Sequence, residues 1–158
     1  MSVEVGQRIP NVAVVNAERK PVKLSEFFGT PLVLVFFPGA FTGVCTKEMC
    51  TFRDSLEKFN GLNARVVGIS IDSPYAQKGF ADQHKLNFPL LSDFNRNAVK
   101  AFDIEDPNFA GGQLPGVAKR SVFVLDKDGN VRYRWVSDNP GVEPNYDEVT
   151  EAIRKIPR

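Results

Sequence analysis

The sequence predicts an α/β domain in which helices flank a central mixed sheet. A continuous apolar run, Leu32 to Phe37, is typical of a strand that is buried on both faces of a parallel sheet. A helix with one apolar face follows this run and leads to a second buried strand, Ala64 to Ile71. Near the end of the chain, Ser121 to Leu125 and Val131 to Val136 flank a turn, which predicts a hairpin. The sheet is therefore expected to combine parallel and antiparallel pairs.

The composition is that of an ordinary globular protein. The chain has 158 residues, of which 42% are hydrophobic and 25% charged, and this length predicts one domain over residues 1–158. Its formal charge of +1, from 20 Lys and Arg against 19 Asp and Glu, offers no basic excess to neutralise a phosphate backbone. Binding to nucleic acid is therefore not expected.

The expected location is the cytoplasm. No apolar run approaches the ~20 residues that span a bilayer, so no membrane partner is expected. The segment from Met1 to Val5 lacks the basic start and the long apolar stretch of a signal peptide. The 2 cysteines, Cys45 and Cys50, are too few for the disulfide framework of a small secreted domain.

The chain is predicted to open with a short N-terminal hairpin. Val12 to Val15 and Val22 to Leu24 flank the polar stretch from Asn16 to Lys20. Ser25 is a candidate N-cap for a single helical turn, which Gly29 ends. This turn leads into the first buried strand.

The helix after the first buried strand is predicted from Thr42 or Cys45 to Asn60, with Gly61 just beyond its end. Its apolar residues recur every three or four positions and so share one face; they are Met49, Phe52, Leu56 and Phe59. Cys45 extends this face by a further step of four. Cys50 lies about 140° around the helix from Cys45 and falls off the face.

The middle of the chain is predicted to hold two further helices and a short strand. Ser73 and Pro74 form a cap and a first-turn proline that open the second helix. Phe88 to Leu91 is predicted to be a strand, and Asn95 to Phe102 the third helix. Asp103 to Val117 is rich in Gly and Pro and shows no clear period, which predicts a loop inserted between the two halves of the fold.

The last helix is predicted to start where Asn145 and Glu148 form an N-x-x-E capping pattern. It continues to Ile156, and Val149, Ile153 and Ile156 form its inward face. The complete order is an N-terminal hairpin, a β-α-β unit, an insertion and a β-β-α unit. This is the order of a thioredoxin-like fold.

Cys45 has a position that favours a reactive thiol. It follows the carboxyl end of a central strand and lies in the first turn of a helix, where free N–H groups favour a thiolate. Lowering a thiol pKa from about 8.5 to about 6 requires roughly 3.4 kcal/mol, whereas a helix terminus supplies at best ~2 kcal/mol. A second stabiliser, such as a guanidinium, is therefore needed. The alternative is that Cys45 is a small apolar residue of the core.

The pattern Pro38-x-x-x-Thr42-x-x-Cys45 resembles the active-site signature of the peroxiredoxins, which are thiol peroxidases on a thioredoxin-like fold. The resemblance continues in the strand before this pattern and in the segment from Lys119 to Asp126. In that segment Arg120 occupies the position of the active-site arginine of the family. The resemblance extends over nearly the whole chain.

The resemblance implies a role for each residue of this set. Cys45 is the peroxidatic cysteine, whose thiolate attacks a peroxide oxygen and becomes a sulfenic acid. Thr42 hydrogen-bonds the sulfur and the peroxide, and Pro38 shields them from water. Arg120 stabilises the thiolate and the charge that develops on the oxygens, which makes it the second stabiliser that the energies require.

Two further groups are expected to support the site. The backbone N–H groups of Val44 and Cys45 are additional donors. Glu48 matches a position at which many members of the family have a Glu that orients the arginine. The alternative for Glu48 is a solvated acid in the first turn of the helix.

Cys50 determines the subfamily. It follows Cys45 by five positions, which resembles the pattern of peroxiredoxin Q, or bacterioferritin-comigratory protein, in which the second cysteine resolves the first. Gly43 stands where that subfamily commonly has Pro, so a structural thiol stays open as the alternative for Cys50. Residues five apart in a helix have Cα atoms roughly 8–9 Å apart, beyond the ~7 Å limit for a disulfide. If Cys50 resolves Cys45, the first turns of the helix must unfold.

The expected activity is the antioxidant reduction of hydrogen peroxide and organic hydroperoxides. A thioredoxin-like or glutaredoxin-like dithiol protein is the expected reductant, and the chain is expected to be a monomer or a homodimer. The alternatives are a one-cysteine peroxidase that an external thiol recycles, and a redox sensor that uses the Cys45–Cys50 switch without turnover. No metal or cofactor is expected, because His84, the single histidine, and two cysteines do not form a zinc set.

Overall fold

A seven-stranded mixed sheet forms the centre of the molecule. The computed structural model describes residues 2–157; Met1 and Arg158, the ends of the single domain predicted over residues 1–158, lie outside the described residues. In spatial order the strands are β2 (Pro21–Lys23), β1 (Ala13–Val15), β5 (Leu90–Ser92), β4 (Arg65–Ser70), β3 (Leu32–Phe36), β8 (Ser121–Leu125) and β9 (Val131–Val136). β6 (Glu105–Asp106) and β7 (Val117–Ala118) form a separate ribbon. β3, β4 and β5 are parallel, whereas the outer strands pair antiparallel.

Helices cover both faces of this sheet. Within residues 2–157 the α-helices are α1 (Gly43–Gly61), α2 (Pro74–His84), α3 (Asn97–Ala101) and α4 (Tyr146–Arg154), and a 3-10 helix covers Leu24–Phe27. None of these described helices has both the length and the apolar character that crossing a membrane requires.

The two faces of β3 pack against different helices. Leu32, Leu34 and Phe36 belong to the core on one face of the sheet, together with residues of α3. Val33 and Val35 belong to the core on the other face, where α1, α2 and α4 pack. All five side chains are fully buried. A strand that is covered on both faces has no solvent-facing side chains, which explains the continuous apolar run.

The architecture confirms the predicted thioredoxin-like order and most of its helix caps. Ser73 opens α2 by accepting a hydrogen bond from the N–H of Ala76, with Pro74 at the first helical position. Asn145 opens α4 by accepting a hydrogen bond from the N–H of Glu148. Each cap satisfies an N–H group that has no partner within its own helix.

Several predicted helix boundaries are wrong by one or two residues; α4, for example, ends at Arg154 and not at Ile156. α1 includes Gly61, and Asn63 is the left-handed residue that follows, with a φ of 59°. Asn adopts this conformation at lower cost than most residues, because its short polar side chain bonds locally. Ser25 lies inside the 3-10 helix, whose N-cap residue is Lys23; there the N–H of Lys23 donates to the Glu26 carboxylate at 2.7 Å.

The predicted loop from Asp103 to Val117 is wrong in part, because it contains β6 and the first residue of β7, which pair as a ribbon. Glu105 pairs with Ala118 across this ribbon. Strands of two residues are too short to show a period in the sequence. β5 also begins later than predicted, at Leu90, because Pro89 has no N–H to donate to a strand ladder.

One edge of the sheet brings distant segments together. Phe36, the last residue of β3, pairs with Ile69 of β4 and with Ser121 of β8. Because β3 runs antiparallel to β8, the segment after β3 and the segment before β8 meet at this edge. Cys45 follows β3 and Arg120 immediately precedes β8, so the sheet places residues that are 75 positions apart next to each other.

Asp93 caps α3, which starts at Asn97 and not at the predicted Asn95. The Asp93 carboxylate accepts hydrogen bonds from the N–H of Ala98 at 2.8 Å and from that of Val99 at 2.9 Å. Asp93 is 2% exposed. Asp93 lies several residues before the first residue of α3, a spacing that the usual capping pattern does not include.

We expect Asp93→Ala to lower the free energy of unfolding by about 1–3 kcal/mol, because two buried N–H groups lose their acceptor. Urea denaturation followed by circular dichroism measures the change. Asn95→Ala, at an exposed position of the same loop, is the control and should be nearly neutral. Equal losses in the two variants would contradict the capping role.

Candidate active site

The segment between β3 and α1 presents main-chain donors beside Cys45. Pro38 is buried just after the strand, and Thr42 is the N-cap residue of α1. The Thr42 side chain does not cap the helix; its hydroxyl donates to the carbonyl oxygen of Gly39 at 2.9 Å. The N–H groups of the first turn, including those of Val44 and Cys45, have no acceptor within the helix. The expected bond from Thr42 to the sulfur stays a prediction.

Cys45 is buried and contacts Arg120. The Nη2 of Arg120 donates to the Sγ of Cys45 at 3.1 Å, and neither side chain is more than 2% exposed. The guanidinium and the helix N-terminus therefore direct positive charge at the same sulfur. The structure thus places beside Cys45 both groups that the sequence predicted, a helix N-terminus and a guanidinium. Cys45 is thus part of the core and also the group with which the arginine interacts.

Glu48 holds the arginine from a second direction. Its Oε1 accepts a hydrogen bond from the Nη1 of Arg120 at 2.8 Å, and the carboxyl is fully buried, so Glu48 is not the solvated acid of the alternative. Burial raises the pKa of Glu48 to about 8, although the charge and the hydrogen bond of Arg120 act to lower it. Burial alone would lower the pKa of Arg120, but its charge interactions and hydrogen bonds with Glu48 and Cys45 raise it above its ordinary value. Arg120 is therefore always a cation.

The connection between β9 and α4 covers the arginine and the first turns of α1. The carbonyl oxygen of Pro140 accepts hydrogen bonds from the Nε of Arg120 at 3.1 Å and from its Nη2 at 2.9 Å. Further along, the carboxylate of Glu143 pairs with Lys47 of α1 at 3.1 Å and accepts a hydrogen bond from the Tyr146 hydroxyl at 2.6 Å. Arg120 therefore holds the start of α1 on its buried side, and the connection between β9 and α4 holds it on its exposed side.

A partly buried polar network holds the loop that precedes α1. Asp72, just after β4, accepts hydrogen bonds from the N–H of Ala40 at 2.8 Å and from the hydroxyl of Ser70 at 2.7 Å. Gln77 of α2 donates to the Ser70 hydroxyl at 2.9 Å and to the carbonyl oxygen of Leu91 at 2.8 Å. The loop is thereby fixed to β4, β5 and α2.

Cys50 lies five residues after Cys45 in the same continuous helix. Cys50 is half-buried, and both thiols are free. Helical geometry separates the Cα atoms of such residues by roughly 8–9 Å, whereas a disulfide needs ~7 Å or less. The intact helix therefore corresponds to the reduced protein.

The structure brings most of the predicted site residues together, and it adds two that the sequence-based predictions missed. Those in direct contact are Cys45, Glu48 and Arg120, and those in the adjoining loop and first turn are Pro38, Thr42 and Val44. The additions are Asp72 and Pro140. Asp72 could have been found from the sequence, because it follows a buried strand at the edge of the sheet where functional sites collect. Pro140 acts through its main-chain carbonyl, for which the side chain provides no signal.

A buried thiol at a helix N-terminus, bonded to a buried guanidinium on a thioredoxin-like fold, defines a cysteine-dependent redox enzyme. Residues 5–134 match the AhpC/TSA family. The chain belongs to this family, the peroxiredoxins, which are thiol-dependent peroxidases.

Individual relatives confirm the resemblance to the Q and bacterioferritin-comigratory type. The chain is 44% identical to "Peroxiredoxin Q, chloroplastic" of Sedum lineare over 154 residues, which cover 98% of this chain and 80% of the relative. It is 38% identical to "Peroxiredoxin Bcp" of Bacillus subtilis (strain 168) over 158 residues, which cover 99% and 96% of the two chains. The crystal structure of peroxidoxin BcpB from Mycobacterium tuberculosis matches with a TM-score of 0.85 and 31% identity over 99% of both chains.

We expect Arg120→Ala to lower the rate constant for reaction with peroxide by about 10²- to 10³-fold and to reduce the thiolate absorbance at neutral pH. Arg120→Lys keeps a charge but cannot form all the bonds of the guanidinium, so its loss should be intermediate. Stopped-flow kinetics and ultraviolet absorbance measure the two effects. Arg154→Ala, at an exposed position, is the control. An unchanged rate in Arg120→Ala would show that another group stabilises the thiolate.

Proposed function

We propose that this chain reduces hydrogen peroxide and organic hydroperoxides through a sulfenic acid at Cys45, which Cys50 resolves as an intramolecular disulfide. A thioredoxin-like or glutaredoxin-like dithiol protein then reduces the disulfide. The observation that carries the proposal is the 3.1 Å bond from Arg120 to the Sγ of Cys45 within the core. The similarity to peroxiredoxin Q and peroxiredoxin Bcp supports it.

In the first step the Cys45 thiolate attacks one oxygen of the peroxide. An electron pair of the sulfur forms the S–O bond, the O–O bond breaks, and the leaving oxygen departs with the electron pair of that bond and becomes water or an alcohol on taking up a proton; the sulfur is oxidised by two electrons and the peroxide is reduced. Arg120 and the free N–H groups of the first turn stabilise the charge on that oxygen. Thr42 donates its proton to Gly39, so its hydroxyl oxygen offers lone pairs to the O–H of the peroxide. Pro38, buried in the loop, excludes water.

The second step requires the first turns of α1 to unwind. The Cys50 thiol then attacks the sulfenic sulfur of Cys45, an S–S bond forms, and the sulfenic oxygen leaves as water. Unwinding also removes Cys45 and Glu48 from Arg120, because both acids lie in these turns. The oxidised form therefore lacks the cluster that activates the thiol.

Recycling requires an external dithiol, because the disulfide uses both cysteines of the chain. A dithiol protein supplies two electrons and two protons by exchange. The cytoplasm is the proposed location, because thiols are kept reduced there by such proteins. A monomer or a homodimer stays the prediction for the assembly.

We expect one equivalent of hydrogen peroxide to produce a Cys45–Cys50 disulfide within one chain, with loss of helix signal in circular dichroism. The helix signal falls because the pair cannot bond across intact turns. Peptide mass spectrometry with thiol counting, before and after oxidation, measures the product. A sulfenic or sulfinic Cys45 beside a free Cys50 thiol would exclude resolution and identify the one-cysteine alternative.

Variants of the two cysteines separate the peroxidase from its alternatives. Cys45→Ser is expected to abolish peroxide consumption, because it removes the nucleophile. Cys50→Ser is expected to retain a first turnover but to lose steady-state turnover with thioredoxin and its reductase. Peroxide consumption in this coupled assay is the measurement. A wild-type rate no faster than that of free cysteine would favour the redox sensor.

A further inference from the structure

The contacts around Arg120 join one cation to two acids. Arg120 donates to the Sγ of Cys45 at 3.1 Å and to the Oε1 of Glu48 at 2.8 Å, and all three side chains are buried. If both acids were ionised, the cluster would carry a net negative charge in the core, where solvent does not compensate it. One guanidinium balances one anion. The cluster is therefore expected to hold one proton.

The geometry indicates which acid holds this proton. The Oε2 of Glu48 is buried and has no hydrogen-bond partner among the described residues, an arrangement that is costly for an ionised carboxylate. The other titratable groups that face Glu48 are Glu143, whose negative charge also disfavours ionisation, and Tyr146 of α4. The sulfur of Cys45, in the first turn of α1, receives both the guanidinium and the positive end of the helix.

We propose that Cys45 and Glu48 share a single proton in the reduced enzyme, with the sulfur as the thiolate and Glu48 as the neutral acid, and that peroxide reduction transfers the negative charge from the sulfur to Glu48. This inference rests on the proposed function, because it assigns Glu48 a task in the same reaction. Glu48 contacts Arg120 at 2.8 Å, and its task is to hold the proton that it releases during the reaction.

The charges and protons of the oxidation step balance on this assignment. The thiolate forms the S–O bond, the O–O bond breaks, and the leaving oxygen departs as hydroxide or alkoxide. This anion takes up one proton, and Glu48 releases one. Arg120 loses the thiolate as a partner but retains an anion, because Glu48 is now a carboxylate. The net charge of cluster and product is the same before and after the step.

Reduction of the disulfide restores the starting state. The dithiol supplies two electrons and two protons, of which Cys50 retains one proton as a thiol. The second proton passes to Glu48 when α1 re-forms over Arg120 and Cys45 returns as the thiolate. Burial raises the pKa of Glu48 to about 8, which agrees with a neutral acid at neutral pH.

Proton counting tests the inference. The reduced protein is mixed with one equivalent of hydrogen peroxide in weakly buffered solution at neutral pH, and an indicator dye reports the protons taken up per disulfide formed. The wild type is expected to take up almost none, because Glu48 supplies the proton. Glu48→Gln is expected to take up close to one. Glu57→Gln, at an exposed position of α1, is the matched control and should behave as the wild type.

Infrared difference spectroscopy locates the proton. On oxidation the wild type should lose the carbonyl stretch of a protonated carboxyl, and Glu48→Gln should show no such loss. Uptake of one proton by the wild type overturns the proposal, as does the absence of the carboxyl band or of thiolate absorbance before oxidation. Each of these results is compatible with normal peroxide turnover. A wild type that consumes no peroxide would instead contradict the proposed function, so the two failures are distinguishable.

Discussion

The buried guanidinium of Arg120 is the group on which the rest of the site depends. It extends from the residue before β8, bonds to α1 through Cys45 and Glu48, and bonds to the β9–α4 connection through Pro140. A buried charge is tolerated only when its hydrogen bonds are satisfied, and removal of one partner costs more than the intact pair contributes. The bonds from Arg120 to Cys45 and Glu48 therefore also hold the first turns of α1 against the sheet.

Features that depend on neighbouring residues could be predicted from the sequence, whereas features that depend on distant segments could not. The apolar run of β3 and the place of Cys45 in a first turn are local, and both predictions are confirmed. The energies of a thiolate predicted a cationic partner but could not select it among 20 Lys and Arg. Contact between Arg120 and Cys45 depends on the register of β3 against β8, which local sequence patterns do not show. Only the resemblance to a family indicated Arg120. The contact between Arg120 and Pro140 could not be predicted, since every residue has a main-chain carbonyl.

The unwinding that the proposed disulfide requires has a structural boundary within α1. Lys47, in the first turns, is 73% exposed and pairs with Glu143 in a salt bridge of a kind that contributes at most ~1 kcal/mol. Arg53 lies beyond Cys50 and is held more firmly, because its Nη1 donates to the carbonyl oxygen of His84 at 2.5 Å. The carbonyl oxygen of Arg53 also accepts a hydrogen bond from Asn87 at 3.3 Å. The helix after this point therefore stays attached to α2 and the segment that follows it.

This boundary makes the activating cluster and the resolving step mutually exclusive. Cys45 and Glu48 lie before the boundary, and both contact Arg120 only while the first turns are helical. Once the turns unwind to let Cys50 reach Cys45, the sulfur no longer has the guanidinium or the helix N-terminus that made it a nucleophile. In the proposed cycle a further peroxide then meets no thiolate, because the sulfur is part of the disulfide, and the reaction stops there until a dithiol restores the helix. On the proposed mechanism, the strength of the Arg120 cluster therefore sets how readily the helix opens as well as how reactive the thiol is.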